Sequence, residues 1–193
     1  MKIGIDIDEV LANHMEKLNE FYYLKKGKKY SEKDYKSYNW WETWGISREE
    51  AEDIDREYKK SELFSSIQPI PGAVDAVREL SKDNELFVVT SRHTSAEQKT
   101  KEWILKHFPF VELKILHSGD FWGGRKSKAD VCKENHIKIL IDDHEKYARD
   151  CSKIGIKVLL FDKPWNQGVE GENIIRVNGW KEVLEVIKNE NRN

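Results

Sequence analysis

Short runs of β-branched and large apolar residues recur along this chain, and helical segments separate them. The runs are Lys2–Asp8, Glu85–Ser91, Val111–His117, Lys138–Asp142 and Lys157–Asp162, with a weaker sixth at Ile174–Val177. Each is bounded by turn or helix signals, as a strand is. Pro71 and Gly72 open one intervening helix. Ser95 with Gln98 has the form of a capping box before the helix that carries Trp103 and Ile104. Ser127 can cap the next, through Lys128 and Val131. Lys146–Ile154 ends at Gly155, the expected place for a left-handed residue, and a last helix follows Trp180. Strands alternating with helices predict an α/β fold with a parallel sheet covered on both faces.

The alternation breaks once. From Ala12 to about Gln68 no run reads as a strand, and two helical stretches stand there instead, His14–Lys26 and Ser47–Ser61, the second with Ser47 and Glu50 spaced as a capping box. Nine of the chain's 21 aromatic residues fall between Phe21 and Trp44. The reading is a helical cap, residues 14–68, inserted after the first strand of a core made of residues 1–13 and 69–193. The lysine-rich stretch Lys25–Lys36 reads as a solvated surface.

Composition narrows the class of partner. The formal net charge is −2, which argues against a nucleic-acid polymer or an anionic membrane held by bulk charge. An apolar share of 38% is enough for a core. No apolar run approaches the roughly 18 residues of a membrane span. The first eight residues already contain two carboxylates, where a signal peptide would need an apolar stretch. Cys132 and Cys151 make no disulfide framework. The expectation is a reduced, cytoplasmic protein, with homodimerisation left open.

Four groups of residues carry the chemistry. Asp6-Ile7-Asp8 closes the first strand run, and ligands of open α/β sheets collect at the carboxyl ends of strands. Alternation puts Asp6 and Asp8 on one side, and two carboxylates so close call for a cation or a shared proton. Thr90-Ser91-Arg92 closes the second run; hydroxyls and backbone N–H groups there suit a phosphate oxygen. Lys126-Ser127-Lys128 starts a helix and offers a cation to an anion near Asp6. Asp142-Asp143 ends an apolar run, and paired acids there suit a hard cation such as Mg²⁺.

In this order, Asp-x-Asp, Thr-Ser, Lys and Asp-Asp, the chain resembles the haloacid-dehalogenase (HAD) superfamily of phosphatases. The segments DIDEVLA, the aromatic-rich cap, VVTSR, the lysine-led helix before ILIDD, and LLFDKPWN narrow the resemblance. They are similar to the 5′(3′)-deoxyribonucleotidase family and its bacterial relatives, from about Lys2 to Asn166. The family usually has Gly where this chain has Glu9. The resemblance implies a HAD-like Rossmannoid three-layer sandwich with sheet order 5-4-1-2-3 and a small helical cap. It implies a Mg²⁺-dependent phosphomonoesterase acting on (deoxy)nucleoside monophosphates through an aspartyl-phosphate.

By the same resemblance Asp6 is the nucleophile and Asp8 the general acid and base. Mg²⁺ is held by Asp6, the backbone carbonyl of Asp8 and a carboxylate of the Asp142/Asp143 pair. Thr90, Ser91, Arg92 and Lys128 surround the phosphate, with Lys126 the runner-up for the lysine. Trp40, Trp41, Trp44, Tyr35 and Tyr38 are candidates to line a base or sugar pocket, and Trp165 is read as packing. Two other readings stand beside this one: a phosphatase of the same fold for another small ester such as a sugar phosphate, and a binding protein that keeps the fold without the reaction.

Overall fold

A computed structural model describes residues 1–119 and 126–191. Its strands are β1 (Lys2–Ile5), β2 (Glu85–Thr90), β3 (Lys114–His117), β4 (Ile139–Asp142), β5 (Lys157–Phe161) and β6 (Ile174–Val177). They form one sheet in the order β3-β2-β1-β4-β5-β6, and every neighbouring pair is parallel. This is the expected five-strand order, with β6 added outside β5. Two runs are three residues shorter than the sequence predicts, and β2, β4 and β5 each one. β1 stops at Ile5, because residues 7–12 fold back on themselves, with Leu11 N and Ala12 N both donating to Ile7 O at 2.9 and 2.8 Å. β3 starts at Lys114, since Val111 N turns back to Phe108 O at 3.4 Å.

The helices are α1 (His14–Lys26), α2 (Trp40–Trp44), α3 (Arg48–Lys60), α4 (Glu62–Ser65), α5 (Ala73–Leu80), α6 (Glu97–His107), α7 (Lys128–Glu134), α8 (Glu145–Lys153) and α9 (Trp180–Glu190). Ile3, Ile5, Val88, Ile139, Ile141 and Leu159 point to one sheet face and pack with residues of α5, α6 and α9. The alternate residues Phe87, Val89, Leu140, Val158 and Leu160 point to the other face and pack on Val131, Cys132, Ala148 and Cys151 of α7 and α8. That alternation makes three layers. β1 sits at the centre of the sheet, and a Cβ on Gly4 would lie 2.8 Å from Val89 Cγ2, so the packing there requires glycine.

The segment between β1 and α5 contains α1–α4 and a 3₁₀ turn at Glu32–Asp34, and no strand. Its packing is aromatic. Trp44 stacks on Tyr22 at a centroid distance of 3.7 Å, and Tyr58 packs edge-on to Phe64 at 5.4 Å. Ser47 caps α3 by accepting from Glu50 N at 3.2 Å, as its spacing predicts. Ser95 does not cap α6; the His93 ring accepts from Ser95 N instead, and Gln98 turns to Glu102. No helix among the described residues is long and apolar enough to cross a membrane.

Candidate active site

Three adjacent parallel strands deliver the acidic and hydroxyl groups to one place. Asp6 follows β1 directly, its N–H still donating to Ile141 O of β4 at 2.9 Å. Thr90 ends β2 and Asp142 ends β4. Lys128 is the first residue of α7, fixed by a capping box in which Ser127 Oγ accepts from Asp130 N at 3.0 Å and Asp130 Oδ2 accepts from Ser127 N at 3.3 Å. The Lys128 side chain is 1% exposed. Lys126 stands outside on the surface and pairs with Glu134.

Lys128 Nζ donates to Asp6 Oδ1 at 2.8 Å and to Asp142 Oδ2 at 2.7 Å, and lies 4.3 Å from the centroid of the Tyr147 ring. Burial works against its ammonium, but Asp142 and Asp6 more than offset this and hold it charged well above the usual lysine range. Asp143 Oδ2 accepts from Trp165 Nε1 at 2.9 Å, while Asp143 Oδ1 is buried and accepts no hydrogen bond from the described residues. Oxygens of Asp6, Asp142 and Asp143 lie within 4.8 Å of one another.

Lys128 bonds to only two of these three buried carboxylates, and the shortage of positive charge appears in the protonation of Asp6 and Asp143. Burial, with Asp142 and Asp8 adding to it against the pull of Lys128, pushes Asp6 up to about 7. Burial and the neighbouring Asp142 and Asp6 raise Asp143 well above the carboxylate range. A divalent cation fits this cluster. It would supply the missing positive charge and satisfy Asp143 Oδ1. One Mg²⁺ with oxygens at roughly 2.1 Å also spans nearly the separation seen. Both oxygens of Asp142 already have partners, since His144 N donates to Oδ1 at 2.9 Å, so Asp143 offers the open oxygen.

Asp8 has a different environment. Arg92 grips its carboxylate, with Nε 3.1 Å from Oδ1 and 3.0 Å from Oδ2, and Nη2 2.5 Å from Oδ1. His14 Nδ1 lies 3.3 Å from Asp8 Oδ1. Burial tends to raise Asp8, but Arg92 and then His14 override it and hold the carboxyl well below the usual range. Arg92 N donates to Thr90 Oγ1 at 3.1 Å and Ser91 Oγ meets Ser118 Oγ at 3.0 Å, so the Thr90-Ser91-Arg92 turn is itself fixed.

A cavity of about 60 Å³ lies over these groups, bounded by Asp6, Asp8, Ser91, Arg92, Tyr38 and Trp40 among others. Trp165 also lines it while donating to Asp143, so it does more than pack. Trp44 is 2% exposed and lies inside the aromatic segment, stacked on Tyr22, with its Nε1 donating to Tyr35 Oη at 2.8 Å. Tyr35 is buried with it and bonds to Asn19. Trp41 is half-buried against the ring of Trp40, 5.7 Å away. Of the five expected pocket aromatics, Tyr38 and Trp40 therefore face the cavity, and Trp44 and Tyr35 face the interior of their own segment.

Some site residues gave no motif signal. Glu9 adopts φ 61°, a left-handed conformation costly for a residue with a Cβ. Its buried carboxylate accepts from Met15 N at 2.6 Å at the start of α1 and from Lys163 Nζ at 3.2 Å. Lys163 also reaches Glu32 of the 3₁₀ turn at 2.8 Å. His14, Asp55, Lys59 and Tyr147 line the cavity too. Glu9 and Lys163 lie inside the quoted segments DIDEVLA and LLFDKPWN; the others are reached only through the fold.

A family model described as 5′ nucleotidase, deoxy (pyrimidine), cytosolic type C protein matches residues 1–192. A nucleotidase of Clostridium acetobutylicum is 26% identical over 193 residues, covering 97% of this chain and 93% of the relative. A 5′(3′)-deoxyribonucleotidase of Bacillus subtilis is 32% identical over 127 residues, 63% of each chain. The solved structure of a haloacid-dehalogenase-like hydrolase from Streptococcus pneumoniae superposes with a TM-score of 0.68 at 20% identity, covering 96% of this chain and 97% of the other, which places the fold. With the matched family spanning nearly all of the chain and the acidic cluster at the strand ends, the chain belongs to the cytosolic type C family of deoxy 5′ nucleotidases, a phosphatase family, and has a haloacid-dehalogenase-like fold.

Proposed function

We propose that the chain is a Mg²⁺-dependent phosphomonoesterase that hydrolyses (deoxy)nucleoside monophosphates through an aspartyl-phosphate on Asp6. The observation that carries this reading is the buried cluster of Asp6, Asp142 and Asp143, in which Lys128 bonds to Asp6 and Asp142 and leaves one Asp143 oxygen open. Family membership supports nucleotides as the substrate class. Asp6, the backbone carbonyl of Asp8 and Asp143 would hold the ion, with Asp142 tied to Lys128 and His144 behind them. Bound there, Mg²⁺ supplies the charge that lets an anionic carboxylate approach an anionic phosphate.

The remaining work falls to side chains. A carboxylate oxygen of Asp6 attacks phosphorus, and the bond to the ester oxygen breaks. Asp8 gives its proton to the departing oxygen, then as a carboxylate takes a proton from the water that releases phosphate and restores Asp6. In the free protein Arg92 keeps Asp8 ionised. Asp8 therefore takes up its proton as the arriving phosphate draws the Arg92 charge toward itself. The Thr90 hydroxyl, the backbone N–H after it and Lys128 receive the phosphoryl oxygens as charge shifts in the transition state. Residues 14–68 act as the cap over a core of residues 1–13 and 69–193, and Tyr38 and Trp40 offer rings to the base.

The test is steady-state hydrolysis of a panel of nucleoside and sugar monophosphates, with Mg²⁺ and after metal removal into excess EDTA. Nucleotides are expected to be the best substrates. EDTA and Asp6→Asn are each expected to bring turnover to background. Robust hydrolysis in EDTA, or near wild-type turnover in Asp6→Asn, would overturn the assigned chemistry. A sugar phosphate turned over much faster than any nucleotide would overturn the substrate class.

A further inference from the structure

The cavity over Asp6 does not end at its own walls. Asp55 and Lys59, an ion pair at 2.5 Å, line it and also line a second space between α3 and the start of α6. The first space measures about 60 Å³ and the second about 690 Å³. Whatever hangs from a phosphate seated on Asp6 has this larger cleft as its neighbour.

The two walls offer different chemistry. Tyr38, Trp40 and Trp165 face the smaller cavity, whereas no Phe, Tyr, Trp or aliphatic residue lines the cleft. Its charged lining is Arg56, Lys59, Lys60 and Lys99 against Glu52 and Asp55. Most of these charges are already matched: Lys59 by Asp55, Arg56 by Asp53, and Glu52 by Arg48. Among the described residues Lys60 and Lys99 have no carboxylate partner; Lys99 Nζ instead donates to the Lys59 carbonyl at 2.9 Å. The cleft therefore holds an excess of two positive charges beside the catalytic cavity.

We propose that this cleft is a second anion site, which receives a second phosphate carried on the sugar of the substrate. It rests on the nucleotidase reading given above. A sugar whose 5′-phosphate sits on Asp6 has two further substituents, the base and the 3′ position. The aromatic wall suits the base, and the ring-free basic cleft suits an anion at the 3′ position. The substrate class that uses both is a nucleoside 3′,5′-bisphosphate.

The test compares initial rates of phosphate release from thymidine 3′,5′-bisphosphate and thymidine 5′-monophosphate in the full-length protein with Mg²⁺. Exposed ion pairs are worth up to about fivefold each, so two lysines predict a kcat/KM ratio of about tenfold in favour of the bisphosphate. The side chain of Lys60 is exposed and can be changed without disturbing the packing. Lys60→Ala is expected to reduce the ratio and Lys60→Glu to bring it to about one or below, and raising the ionic strength is expected to shrink it in the wild type. A wild-type ratio of one or less, or a ratio that Lys60→Glu does not move, overturns the second anion site while leaving the nucleotidase reading intact. No hydrolysis of either nucleotide overturns that reading and this site with it.

Discussion

Asp6 and Asp8 are two residues apart, yet their surroundings drive their carboxyls in opposite directions. Asp6 shares one lysine with Asp142 beside the open Asp143, and burial lifts it to about 7. Asp8 has a guanidinium to itself, with side-chain exposures of 4% for Arg92 and 18% for Asp8. A pair so enclosed is costly to break from one side. Arg92→Met is expected to cost up to about 3–5 kcal/mol of stability, because the largely enclosed Asp8 is then left with His14 nearest and Lys59 farther off. Arg92→Met combined with Asp8→Asn should recover much of that loss, since the unpaired charge is gone. Urea denaturation of the two single variants and the double variant measures the coupling, and simple additivity would mean that the Asp8–Arg92 contact contributes nothing of its own. The carboxylates themselves could be seen in the sequence as DID and DD. Their opposite environments could not, because Arg92 lies 84 residues from Asp8 along the chain and the grip between them forms only when β1 and β2 pair.

Within the elements, the aromatic segment separates packing from contact. Trp40 and Trp44 sit on the same five-residue helix, α2, and four positions apart they still face different environments. Trp44 is stacked and hydrogen-bonded inside, so Trp44→Ala is expected to cost about 3–5 kcal/mol and to lower activity on every substrate alike through loss of folded protein. Trp40 borders the cavity. Base stacking is worth roughly 1–3 kcal/mol, so Trp40→Ala is expected to lower kcat/KM for a nucleotide by about 5- to 150-fold while affecting p-nitrophenyl phosphate much less. Equal losses on both substrates would mean that Trp40 also serves only to pack. The sequence marked this segment as aromatic and helical but could not sort its rings. The rings from Tyr35 to Trp44 lie on irregular turns and the five-residue α2, too short for periodicity to fix a face. The long elements were legible for the opposite reason: α1 runs from His14 to Lys26 as its flanks predict, and β2 and β4 end at Thr90 and Asp142 where the motifs stand. Ser95 forms no capping box at α6 because it lies in a 3₁₀ turn, Thr94–Ala96, whose Ser95 amide the His93 ring satisfies.

At the scale of the whole molecule, buried tryptophans fasten distant segments of the chain to one another. Trp103 of α6 donates to Ile67 O at 2.8 Å, and Trp180 of α9 donates to Val10 O at 3.0 Å in the loop after β1. The acidic cluster is thus enclosed by structure from both ends of the chain, and its charge bears on global stability. Without a cation, folded Asp6 titrates near 7 whereas the unfolded side chain titrates at 3.8. Between those values the folded state holds a proton that the unfolded state has released. The contribution of Asp6 to stability is therefore full below 3.8 and falls as pH rises through about 7. Mg²⁺ needs the ionised carboxylate, so it competes with that proton and its binding strengthens over the same range. At ten times its dissociation constant a ligand stabilises by about 1.4 kcal/mol, or roughly 3–6 °C in a chain of this size. Thermal unfolding with a fixed Mg²⁺ concentration is expected to show a shift of that order at pH 8 and a clearly smaller one at pH 5.5. Asp143→Asn, which changes a buried carboxylate with an open oxygen, should reduce the shift at pH 8. An equal Mg²⁺ shift at both pH values, or one that survives Asp143→Asn unchanged, would place the ion somewhere other than this cluster.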